Sequence, residues 1–330
     1  MSKHRRLQAP PQFVPARLRS ATTGIPNLLE LDRFSEANLE RWNKLSKDLD
    51  ELSAVLYSGV EPQRQRYHDQ LIAALQSVPP ATLDFTGWVR LVTLRYADTP
   101  LAAIGSLKGW GGRFNIGVDV DKAMRAPWPA LYIASDHETA YREKFGIAKD
   151  YHVDGLTAQE LALQPDGSYS AIRLDGHLSL VFDIRQGALE PICKVLRKIS
   201  LPAEAVELRA RLKIPRQQVA MIRSAARLMH EIMVVNWRTW PAQFGNPAVS
   251  QILAGLLLDA GYEAISYPST KGSGKCVAVF PHRLASETSF VELADAAPAS
   301  VRHKRLDLST AEALCGWDTL PRRQRPTRES

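Results

Sequence analysis

The stretch Ala130-Leu131-Tyr132-Ile133-Ala134-Ser135-Asp136-His137-Glu138-Thr139-Ala140-Tyr141-Arg142-Glu143 changes periodicity halfway along its length. Residues 130 to 134 form a short apolar run of strand-forming type, bounded by Pro129 and Ser135. Ser135-Asp136 supplies the side chains that accept hydrogen bonds at a helix start, and the sequence beyond predicts a helix through about Phe145. A strand that feeds directly into a helix places Tyr132 at the strand end and Glu143 on the helix. An aromatic ring and a carboxylate can then share one cleft.

Working outward, strand character recurs at Trp88–Arg95, Leu178–Ile184, Glu263–Tyr267 and Cys276–Phe280. Helical patterning covers roughly Arg216 to Val235 and Ala248 to Ala260, the latter followed by Gly261, a residue suited to ending a helix. These segments predict an α+β body over 86–285, a mixed sheet core with flanking helices. Upstream, Leu39, Trp42, Leu45, Leu49, Leu52 and Leu56 recur every three or four residues after Ser35. A break is expected at Ser58-Gly59-Val60-Glu61-Pro62, and Tyr67, Leu71, Ile72 and Leu75 then resume the spacing until Pro79-Pro80. Residues 31–85 therefore read as a helical hairpin, with its apolar side laid on the body. Residues 1–30 read as a flexible basic arm, and residues 286–330 as a C-terminal extension with a basic tail.

The chain has 330 residues, 45% hydrophobic and 23% charged, with a net charge of +7. No apolar run approaches the roughly 20 residues of a membrane helix, so a cytoplasmic protein without membrane association is expected. Cys193, Cys276 and Cys315 are widely spaced, which favours reduced thiols over a disulfide framework or a zinc site. The basic residues Lys3, Arg5, Arg6, Arg17, Arg19, Arg322, Arg323, Arg325 and Arg328 crowd at the two ends. Solvated tails explain them more simply than a nucleic-acid site.

Gly109-Trp110-Gly111-Gly112-Arg113-Phe114-Asn115-Ile116-Gly117 sets one cation among four glycines. Such an arginine can make a salt bridge in a tight turn or reach a phosphate that bare backbone lets come close. The glycines miss the G-x-G-x-x-G spacing because residue 114 is Phe. Gly272-Ser273-Gly274-Lys275 misses the P-loop pattern and reads as a loop before a strand. His230-Glu231 and His137-Glu138 lack the second His of H-E-x-x-H, so no metal site is expected.

Arg95-Tyr96, Gly111-Gly112-Arg113-Phe114-Asn115, Leu131-Tyr132, Glu143 and Pro268-Ser269 occur in an order that resembles the RES domain, the toxin half of RES-Xre toxin-antitoxin pairs, named for its Arg, Glu and Ser. The likeness spans about 90–285. Phe114 stands where the family pattern has Trp, and 18 residues separate Arg113 from Tyr132, a longer loop than the pattern has. The resemblance implies a fold similar to ADP-ribosyltransferases and NAD as substrate, with no prosthetic group. It implies Glu143, Arg113 and Tyr132 as catalytic residues, and Arg95, Tyr96, Arg113, Tyr132 and Ser269 as the residues that bind NAD. Two reactions follow from it: cleavage of the nicotinamide–ribose bond by water, or transfer of ADP-ribose to a protein acceptor. The implied partners are an Xre-type antitoxin that holds the toxin in check and a second copy of the chain. A third reading, from another class, is a basic nucleic-acid-binding protein with a degenerate NAD pocket. The residue types suit NAD cleavage on their own account. Nicotinamide leaves without needing a proton, so one carboxylate that stabilises positive charge on the ribose suffices.

Overall fold

The computed structural model describes residues 36–120, 125–145, 168–216, 219–234, 237–284 and 287–316. The chain divides into two compact units, Met1–Glu51 and Leu52–Ser330. The expected arm over 1–30 and the basic residues of the tail lie outside the described residues. In the first unit only the opening of helix α1 (Glu36–Arg66) is described.

The leucine spacing does make helix, but the break falls elsewhere than expected. Helix α1 runs through Gly59 and Pro62 and yields at Tyr67, one residue before α2 (His68–Gln76). Proline removes one ladder donor, and neighbouring side chains hold this stretch together. Gln63 donates to the Gly59 carbonyl at 2.8 Å and to the Ser200 carbonyl at 3.0 Å, while Ser200 N–H returns a bond to Gln63 Oε1 at 3.0 Å. Gly59 has to be glycine because Pro202 packs where a Cβ would sit.

A mixed seven-stranded sheet forms the body, in the order β1-β4-β7-β6-β5-β8-β9. Its strands are β1 (Ala81–Thr93), β4 (Leu131–Ala134), β5 (Tyr169–Asp183), β6 (Ala264–Pro268), β7 (Lys275–Val279), β8 (Phe290–Leu293) and β9 (Arg305–Leu306). Strand β1 also pairs along β5, so the five strands β1, β4, β7, β6 and β5 close on themselves. The long β1–β5 ladder begins earlier than the sequence suggests, at Ala81 and Tyr169, and carries a bulge between Phe85 and Trp88 where Gly87 takes φ 67°. The body also continues past residue 285, because β8 pairs with β5 and β9 with β8.

The short central strands are apolar on both sides because both sides are covered. Leu131, Ile133, Val277, Val279 and Ala264 face one core, together with Leu174, Leu178 and helix α9 (Ala311–Cys315). Ala134, Cys276, Ala278, Ile265 and Tyr267 face the other. Between β5 and β6, which run parallel, the chain makes α4 (Gln186–Leu196), α5 (Ala203–Arg211), α6 (Ala225–Met233), α7 (Thr239–Phe244) and α8 (Val249–Asp259). Helices α2, α4, α6 and α8 cover this second face. Helix α6 is shorter than the expected 216–235. Helix α8 ends as expected, with Gly261 at φ 94°, and the buried Tyr262 hydroxyl beside it donates to the carbonyls at the end of α2, Leu75 and Val78.

Candidate active site

The Gly-rich stretch forms a minimal hairpin of β2 (Gly111–Gly112) and β3 (Asn115–Ile116), with Arg113 and Phe114 at its turn. Gly111 takes φ 85°, and a Cβ on Gly112 would overlap the Tyr132 hydroxyl. Glycine here admits the Tyr132 hydroxyl at Gly112 and the backbone of Asn115 to Gly117 at Gly111. Asn115 is fully buried. Its Oδ1 accepts from Gly112 N–H at 2.9 Å and from the Tyr132 hydroxyl at 2.8 Å, and its Nδ2 donates to the Ser106 carbonyl at 2.9 Å. The Tyr132 oxygen in turn accepts Phe114 N–H at 2.9 Å. Burial pushes the Tyr132 hydroxyl well above its ordinary pKa, so it stays neutral and keeps both bonds. Behind the loop, buried Gln251 donates to the carbonyls of Trp110, Gly112 and Asn115 at 2.8, 3.0 and 2.9 Å. Phe114, also fully buried, sets its ring edge-on to Tyr267 at 4.7 Å.

Glu143 sits in the last turns of α3 (His137–Phe145), which packs on β1 and β4. The helix begins on Asp136, whose carboxylate accepts the N–H and the hydroxyl of Thr139, each at 2.8 Å. Burial alone would raise the Asp136 pKa, but these bonds and one from the Ser135 hydroxyl outweigh it and the net shift is downward. From β6, the chain delivers Ser269 to the other end of this helix. The Ser269 hydroxyl donates to Glu143 Oε1 at 2.6 Å, and Thr270 N–H donates to the same oxygen at 3.0 Å. Ser269 Oγ also accepts Lys271 N–H at 3.0 Å and Gly272 N–H at 2.8 Å, so its proton is directed at the carboxylate. Among the described residues Glu143 Oε2 makes no hydrogen bond. Residues 272–274 form a loop that leads into β7 at Lys275, and Gly274 leaves room for Asp136 and Thr139.

Arg113 is only 6% exposed. Its Nη1 donates to the carbonyls of Ile232 and Val234, both at 2.9 Å, and its Nη2 to Thr270 Oγ1 at 3.1 Å. Burial lowers its pKa, with Tyr267, Glu143 and Tyr132 acting in the opposite direction. Arg113 therefore ties the hairpin to the end of α6 and, through Thr270, to the segment that holds Glu143. Arg95 and Tyr96 lie apart, on a turn after β1, where the exposed Arg95 stacks on the Tyr96 ring at 5.0 Å. Lys108 donates to the Tyr96 hydroxyl at 2.7 Å. That turn neighbours the end of α3, since Lys144 Nζ reaches Thr93 Oγ1 at 3.3 Å. Thus Arg113, Tyr132, Glu143 and Ser269 meet in one place, whereas no hydrogen bond among the described residues joins Arg95 to them.

Sequence reading missed Thr270, Lys271 and Arg238. Lys271 follows Ser269 by two residues. Arg238 precedes α7, exposed to solvent with its guanidinium 4.5 Å from the Trp237 ring. Protein surrounds it closely enough for lost hydration to lower its pKa, against the pull of Tyr132 and Glu143. Lys271 shows the same balance: burial lowers its pKa and Glu143 raises it. No local pattern marks either residue in the sequence. Cys276 lies close enough to Glu143 to interact with it, and burial, then Glu143, pushes its thiol up to about 12. It is protonated at neutral pH and so is no thiolate nucleophile. Among the described residues the site thus offers one fixed carboxylate with an uncommitted oxygen, coupled electrostatically to the neutral phenols of Tyr132 and Tyr267 and to the cations Arg113, Arg238 and Lys271.

A family model described as the RES domain matches residues 88–308. Among solved structures, a chain of the crystal structure of the M. tuberculosis MbcT-MbcA toxin-antitoxin complex is similar at 13% identity and a TM-score of 0.38, over 75% of this chain and 97% of that one. No curated protein matches.

Proposed function

The chain belongs to the RES domain family, with its ADP-ribosyltransferase-like fold, and from that premise we propose that it cleaves the nicotinamide–ribose bond of NAD with water. The observation that carries this reading is the arrangement at Glu143. One carboxylate oxygen is bound by the Ser269 hydroxyl and Thr270 N–H, which leaves Oε2 to face a ligand. On binding, Oε2 accepts a ribose hydroxyl. As the bond to nicotinamide lengthens, positive charge moves onto the ribose ring, and the nearby carboxylate stabilises it more strongly than it stabilises the ground state. Nicotinamide departs neutral. Water adds to the ribose carbon and releases its proton, giving ADP-ribose.

Metal, thiolate or paired-carboxylate chemistry is not required for this reaction, and the neutral Tyr132 supplies a ring wall that adds no competing charge. A partner protein that covers the cleft fits the role of a toxin held in check by an antitoxin. Transfer to a protein acceptor differs only in what attacks the ribose, so one experiment separates the two. The protein is incubated with NAD carrying label in its adenylate half, with and without cell lysate. Free labelled ADP-ribose in an amount equal to nicotinamide supports hydrolysis. Label on a lysate protein, with little free ADP-ribose, supports transfer instead. Intact NAD in both tubes overturns both.

A further inference from the structure

We propose that Arg238 and Lys271, rather than Arg113, form the subsite for the diphosphate of a dinucleotide substrate, an inference that rests on the NAD reading above. The guanidinium of Arg113 already serves three protein oxygens and is almost wholly buried. Arg238 and Lys271 stand on two separate loops, one before α7 and one between β6 and β7. Arg113 draws these loops together, because its guanidinium bonds the Val234 carbonyl, four residues before Arg238, and the hydroxyl of Thr270, which precedes Lys271, while Ser269 and Thr270 in turn bond Glu143. Among the described residues neither side chain makes a hydrogen bond or an ion pair, although the Lys271 backbone N–H bonds Ser269 Oγ. Arg238 is exposed and Lys271 half-buried, so a ligand can reach both.

Electrostatics points the same way. Lys271 feels repulsion from Arg113 and Arg238, and among the described residues Glu143 is the one carboxylate acting on either Arg238 or Lys271. Two cations that have lost hydration and repel one another are offset by a ligand with adjacent negative charges. A diphosphate has that character. Covalent geometry agrees too, because the diphosphate hangs from the ribose that Glu143 Oε2 would hold, and its anion site must therefore stand beside the carboxylate. The planar fork of Arg238 suits two phosphate oxygens, and the mobile ammonium of Lys271 suits a point contact.

The test uses the full chain and two probes, ADP, which has the diphosphate but no nicotinamide, and NAD. Calorimetric titration is run on the wild type, Arg238→Gln and Lys271→Gln, with thermal unfolding as the check on folding. We expect the wild type to bind ADP and each variant to bind it about tenfold more weakly or worse, with unchanged unfolding temperature. For NAD cleavage, KM should rise by a similar factor while kcat moves less than about threefold, because diphosphate contacts are made equally in ground and transition states. Wild-type ADP affinity in both variants, or a wild type that does not bind ADP, overturns the subsite. If NAD is cleaved but these substitutions change neither ADP affinity nor KM, the subsite falls and the reaction stands. If ADP binding depends on both residues but NAD is never cleaved, the subsite stands and the reaction falls.

Discussion

Glu143 is held through one oxygen, and the group that holds it most closely is a single hydroxyl. Ser269→Ala removes the 2.6 Å bond and also strands the Lys271 and Gly272 N–H groups that the serine oxygen accepts. The expected result is a fall in kcat for NAD cleavage of about ten- to a hundredfold, with ADP affinity within about twofold of wild type. Equal losses in both would mean that the serine holds the ligand rather than the carboxylate. Asp136 acts at the opposite end of the same helix. Asp136→Ala should cost about 1 kcal/mol of stability, the usual worth of a helix cap, measured by denaturant unfolding at neutral pH. The folded-state pKa of Asp136 is depressed, so its contribution is complete above its unfolded value of 3.8 and fades as pH falls through the lower folded value. The gap between wild type and variant should therefore close only in acid. That Tyr132, Glu143 and Ser269 would come together was legible in the sequence because each sits at the edge of a recognisable strand or helix. The protein partners of Arg113 were not legible, because nothing local shows that the carbonyls of Ile232 and Val234 await it. Arg238 and Lys271 escaped because loops far apart in the chain bring them together.

At the level of elements, the hairpin of β2 and β3 has almost no ladder of its own and depends on side chains from elsewhere. Gln251→Leu leaves the carbonyls of Trp110, Gly112 and Asn115 without the amide that binds them. Each buried polar group left unpaired costs about 1–3 kcal/mol, so the midpoint of thermal unfolding should drop by roughly 5–10 °C. An unchanged midpoint would show that the loop is held by other means. The same dependence explains which elements the sequence revealed. Strands β4, β6 and β7 stand out as continuous apolar runs because helices cover one face and the second core the other. In the antiparallel β1–β5 ladder the first half of each strand pairs mostly with the second half of the other, and the ladder carries polar residues such as Asp84, Arg173, Asp175 and His177 and a bulge, so these halves lack that signature. Helices α1 and α4 each contain a proline, and it is tertiary packing that overrides the local signal to stop.

Across the whole molecule, every residue assigned to the site lies within the matched span 88–308. Deleting residues 1–35 and 317–330 should leave NAD cleavage within about twofold of the full chain. A loss greater than tenfold would place part of the site in the ends. Retention on DNA that is salt-sensitive, independent of Glu143 and lost with both ends would favour the nucleic-acid reading. The most direct measurement is NAD consumption by Glu143→Gln beside the wild type, with nicotinamide followed by chromatography and folding checked by circular dichroism. Glutamine keeps an oxygen for Ser269 and Thr270 but carries no charge to stabilise the ribose cation. The expected outcome is stoichiometric nicotinamide and ADP-ribose from the wild type and at least about a hundredfold slower release from the folded variant. A folded Glu143→Gln that consumes NAD at the wild-type rate would contradict the assignment.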